Sequence, residues 1–102
     1  MARGDVVSEI ASTATGSSLT YQPSGDIEAV IKVWSGERSG TVYMEIYDGS
    51  NAAIICDSFH YSDEQLNLNM TVPINNAHYF RIRNASGSTI PLMYSGFITN
   101  AG

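Results

Sequence analysis

A single cysteine, Cys56, stands in the whole sequence, so the chain cannot staple itself with a disulfide and cannot build a thiolate-rich zinc site. Its expected state is a buried free thiol behaving as a small apolar side chain. Charge is also scarce: 15% of the residues are Asp, Glu, Lys or Arg, against about 25% in an ordinary domain. Ten carboxylates outweigh five cations for a net charge of −5, and Arg81 and Arg83 form the one cationic cluster. A nucleic-acid partner requires a basic face that releases counterions, so the balance excludes that class. No stretch approaches the roughly 20 apolar residues of a membrane helix. The first 25 residues lack the apolar block of a signal peptide. The expectation is a soluble protein made in a reducing compartment, with no membrane partner.

Reactive constellations are equally sparse. The two histidines, His60 and His78, are not spaced to put two ligands on one face. No Gly-x-Ser-x-Gly turn presents a nucleophile, and the acids fall in expected turns rather than in facing pairs. Asp48, Asn51, Asp57, Asp63 and Glu64 offer hard oxygens, but their spacing matches no calcium loop; they read as solvated turn residues. Arg3-Gly4-Asp5, and the glycosylation acceptor patterns at Asn69-Met70-Thr71 and Asn84-Ala85-Ser86, read as ordinary turn and strand residues. No catalytic residue, metal or cofactor is expected, and no enzyme activity.

What the chain does have is apolar content, 43% over 102 residues. That is enough for one domain, residues 1–102, burying roughly 60–70% of its unfolded surface. The clearest organising stretch is 41–59. Val42, Met44 and Ile46 alternate with Thr41, Tyr43, Glu45 and Tyr47, the period-2 pattern of a strand with one buried face. Asp48-Gly49 supplies a reversal, and an apolar run from Ala52 to Phe59 returns the chain as a hairpin. Upstream, Asp5–Ser12 reads as an irregular strand on a short N-terminal arm, about 1–12, and Ser17–Gln22 as a short strand ended by Pro23. From Ile27 to Trp34, Ile27, Ala29, Ile31 and Val33 share one face and Glu28, Val30, Lys32 and Trp34 the other. Val30 and Trp34 on that second face imply a central strand or a face covered by a neighbouring subunit.

Downstream, Leu66, Leu68, Met70 and Val72 alternate with Asn67, Asn69 and Thr71. Pro73–Ala77 is an expected turn. Phe80 and Ile82 point inward, with Tyr79, Arg81 and Arg83 outward. The last strand, 89–99, is interrupted by Pro91 and Gly96, and a proline there predicts an edge position or a bulge. About eight strands spaced 8–12 residues apart predict an all-β fold, a two-sheet antiparallel β-sandwich of jelly-roll type. A surface built from Ser, Thr, Asn, Gly and Tyr suits contact with proteins or sugars. Trp34, Tyr43, Tyr47 and Tyr79 are the candidate anchors: as a subunit interface first, as a sugar-stacking platform second.

Met1-Ala2-Arg3-Gly4-Asp5-Val6-Val7-Ser8 and Leu19-Thr20-Tyr21-Gln22-Pro23-Ser24-Gly25 resemble the start of small virion proteins of tailed bacteriophages. Val42–Asn51 and Tyr79–Asn84 are similar to later segments of the same group. The resemblance implies a capsid decoration protein: a homotrimeric β-domain on the outer surface of a phage head, made in the host cytoplasm, that binds the major capsid protein and clamps neighbouring capsomers. On that reading Val6, Val7 and Ile10 anchor the N-terminal segment to the shell, and the tyrosine-bearing strand faces pack between copies. The alternative is a receptor- or carbohydrate-binding module of a phage fibre or tail.

Overall fold

The computed structural model describes residues 2–36, 41–57 and 68–102. Among these residues eight strands run in chain order: β1 Val6–Thr13, β2 Ser18–Tyr21, β3 Glu28–Gly36, β4 Val42–Tyr47, β5 Ala52–Asp57, β6 Leu68–Ile74, β7 Tyr79–Asn84 and β8 Ile90–Asn100. They form two four-stranded sheets, β1-β8-β3-β6 and β2-β7-β4-β5, with every pairing antiparallel. The sheets make a β-sandwich, as the strand periodicity predicts. Readings that fall on 37–40 and 58–67, including Phe59, His60, Tyr61, Asp63, Glu64, Leu66 and Asn67, lie outside the described residues, as do those on the side chains of Cys56, Asp57, Leu68, Asn69 and Met70.

Alternation sets the two faces of each strand. On β7 Phe80, Ile82 and Asn84 are buried while Tyr79, Arg81 and Arg83 are half-exposed. On β4 Val42 and Met44 are fully buried. The core closes with Ile31, Trp34, Leu92 and Ile98 from the facing sheet. At its seam the Phe80 ring meets Tyr94 edge-on with centroids 5.5 Å apart, and Tyr21 stacks on Tyr94 at 5.7 Å. Asn84 pins one end of the sandwich. Its side-chain nitrogen donates to the carbonyls of Thr13 and Ser88, both at 2.8 Å, and its side-chain oxygen accepts from the Ser86 amide.

The central hairpin forms as its sequence dictates. Asp48 Oδ1 accepts from the amides of Ser50 and Asn51, and Gly49 takes φ +97°, a region that favours glycine. These backbone hydrogen bonds hold the exposed Asp48 carboxyl below its ordinary pKa.

Three expectations need correction. Trp34 does not share an outer face with Val30. Between Ile31 and Val33 the register against β8 slips, pairing Ile31 with Gly96 and Val33 with Ser95, so Lys32 is an extra residue. A bulge of this kind moves every later side chain to the opposite face. Trp34 is therefore fully buried in the core, and Val33 turns outward, half-buried. Pro91 does not mark an edge, because β8 lies between β1 and β3. It sits near the start of β8, where its described pairing is with Ser12 of β1 alone. Pro73 is not in a turn but inside β6 opposite Val30; β6 is a sheet edge, where a missing N–H is tolerated.

Candidate interaction faces

The segment expected as an arm includes β1, paired with β8 from Val6↔Phe97 to Thr13↔Ile90. The outer face of the β1-β8-β3-β6 sheet follows from these registers. Val6 lies opposite Phe97, Phe97 opposite Val30, and Val30 opposite Pro73, so one row of apolar residues crosses all four strands. Two rungs along β1, Ile10 lies opposite Met93. Ile10 is 73% exposed, Val6 70% and Phe97 40%. Exposed β-branched residues and a phenylalanine on one sheet face form an unusual patch for a protein that stays alone in water.

The outer face of the β2-β7-β4-β5 sheet has a different chemistry. Tyr43, Glu45 and Tyr47 on β4 lie opposite Arg83, Arg81 and Tyr79 on β7. Glu45 is 2% exposed although it points away from the core, because the two arginines close over it. Arg81 Nε donates to Glu45 Oε1 at 2.7 Å, and Arg83 Nη2 donates to Oε2 at 3.2 Å. Each guanidinium also lies over a ring: Arg81 over Tyr47, 4.1 Å from its centroid, and Arg83 over Tyr43 at 4.4 Å. Tyr79 meets Tyr47 edge-on at 5.6 Å. Two cations against one carboxylate leave this ladder with one positive charge on an acidic protein. Ser18 and Thr20 of β2 flank it opposite Arg83 and Arg81.

The structure divides the residues singled out from sequence. Val6 and Ile10 lie exposed on the apolar face, but Val7 is 5% exposed and belongs to the core; successive strand residues face opposite ways, so the three cannot anchor together. Tyr43, Tyr47 and Tyr79 share one outer face, whereas Trp34 is unavailable to any partner. Sequence reasoning missed Phe97, Met93 and Pro73 as members of the apolar face. The alternation of Phe97 and Met93 with Ile98 and Leu92 carried the signal; the order of the strands did not show in it. Asn84 cannot accept a glycan in the folded chain, since its carboxamide is buried and fully bonded. His78 is exposed, and among the described residues no three of His, Cys, Asp and Glu converge on a possible metal position. An open depression of about 470 Å³ at one end is lined by Asp26, Glu28, Asn75 and Asn100 among others.

No protein-family model matches the chain, and no curated protein matches its sequence. The solved structures that share its fold include two of a pentameric capsid protein isolated from metagenomic phage sequences. Each superposes with a TM-score of 0.52 at 10% identity, over 90% of this chain and 61% of the other. The chain thus spans about three fifths of the length of these proteins, and at that identity the likeness is one of fold.

Proposed function

We propose that this chain is a structural subunit of a phage particle, held to its neighbours by the apolar outer face of the β1-β8-β3-β6 sheet and performing no turnover. The observation that carries the reading is the row Val6–Phe97–Val30–Pro73, apolar across the full width of the sheet. Covering exposed side chains of this size removes apolar area from water worth about 1–2 kcal/mol each, and symmetric repetition multiplies a modest contact. The likeness of fold to the two capsid-protein structures supports a place in the virion. The strand order supports the jelly-roll reading, since chain neighbours alternate between sheets everywhere except at β4–β5.

The finer role is decoration of the outer head surface. There Val6, Ile10 and Phe97 seat on the major capsid protein, and copies of the chain associate around a symmetry axis, a trimer being the expected number. An acidic, charge-poor surface supports a protein whose partners are other proteins. The test is binding of the purified chain to phage heads, with native mass spectrometry of the free protein. Wild type should self-associate and bind heads, and Ile10→Asp and Phe97→Asp should each weaken binding about tenfold or more with unchanged circular dichroism. A wild-type chain that stays monomeric and ignores heads sinks the proposal.

A further inference from the structure

We propose that the outer face of the β2-β7-β4-β5 sheet is a binding site for an acidic saccharide, with Arg81 and Arg83 receiving its carboxylate or sulfate group. Glu45 occupies Nε of both arginines and Nη2 of Arg83. The terminal nitrogens of Arg81 and Nη1 of Arg83 make no hydrogen bond among the described residues. The Arg81 and Arg83 side chains are 22% and 37% exposed and already oriented: the buried carboxylate fixes each guanidinium from one side and a tyrosine ring supports its plane from another. A planar fork held in place loses little freedom when it receives an oxyanion, which is the geometry that carboxylate and sulfate groups match.

The surroundings select the carrier of that anion. Hydroxyls of Ser18 and Thr20 flank the arginines on β2, and Tyr43 and Tyr79 stand half-exposed at the ends of the ladder, each offering apolar ring surface beside a hydroxyl. Mixed donors and acceptors next to rings suit a sugar with an acidic substituent. A peptide that adds its backbone to a sheet edge finds none here, since β4 and β7 are both interior strands, paired on either side; an acidic peptide held by side chains alone is the competitor that hexaglutamate tests. Recognition at this place must therefore come from side chains. The site lies on the opposite sheet from the apolar face, so it stands or falls independently of any contact made through that face.

The test is calorimetric titration of the full chain with a heparin-derived hexasaccharide for sulfate, a hexagalacturonate for carboxylate, and maltohexaose as the neutral control. At least one acidic probe should bind, more weakly in 200 mM than in 50 mM NaCl, with maltohexaose unbound. Arg81→Gln and Arg83→Gln should each weaken binding about tenfold or more, the scale of a lost charge-assisted hydrogen bond. Arg81→Lys, which keeps the charge, should also bind less well because the open pair of terminal nitrogens is gone. Phe97→Asp should bind the probe as wild type does. No binding of either acidic probe at millimolar concentration, equal binding of maltohexaose, equally tight binding of hexaglutamate, or arginine variants that bind like wild type would each overturn the proposal.

Discussion

Tyr94 shows how much one side chain gains its character from the fold. In sequence it is one more aromatic in an apolar strand. In the structure its ring is buried against Tyr21 and Phe80 and its hydroxyl donates to Glu9 Oε1 at 3.2 Å. Burial first, and then the neighbouring Glu9 carboxylate, push the phenol well above its ordinary value of 10.0. A pKa raised by folding means that the neutral phenol is favoured in the native state. The stability linked to it is complete below about pH 10 and is lost as the pH rises above that value. Thermal unfolding followed from pH 8 to 11 should show a steeper alkaline loss of Tm for wild type than for Tyr94→Phe; parallel curves would remove Tyr94 as the cause. Glu45 teaches the same lesson: its outward phase on β4 was legible from alternation, but its burial was not, because that depends on arginines 36 and 38 residues away.

At the scale of the element, β3 and β8 carry the main departure from simple alternation. A Cβ built at Gly96 would lie 1.9 Å from the Val30 carbonyl oxygen and 2.9 Å from the Ile31 Cα, so the two backbones approach where only glycine fits. The same region holds the Lys32 bulge, and Lys32 Nζ reaches Thr71 Oγ1 at 2.7 Å across to β6. The glycine and the bulge together allow Trp34 to enter the core. Gly96→Ala should therefore destabilise by about 2–3 kcal/mol, read as a lower urea midpoint at unchanged slope. A variant with wild-type stability would show that the strands part at no cost. Strand positions and inward faces were largely legible before the bulge, and the pattern after it was not. A period-2 pattern carries no mark of where one residue is skipped.

For the whole molecule, the two outer faces oppose each other in chemistry: apolar on the β1 side, tyrosine, arginine and glutamate on the β4 side. Self-association adds stability by mass action. Tm should therefore rise measurably over a hundredfold increase in protein concentration, and Phe97→Asp, on the face assigned to the capsid protein, should leave that rise in place. A concentration-independent Tm in wild type would show that the chain does not associate with itself in solution.

The amino-acid order alone determined the all-β character, the central hairpin and most inward-facing residues, because each is written in local alternation, turn residues and composition. Only the tertiary structure decided which strands became neighbours. That choice assembled Val6, Phe97, Val30 and Pro73 into one row, closed two arginines over Glu45, and withdrew Trp34 and Val7 into the core. Faces of a sheet are made from residues tens of positions apart, and their adjacency is set by the joint packing of both layers rather than by any single stretch of chain.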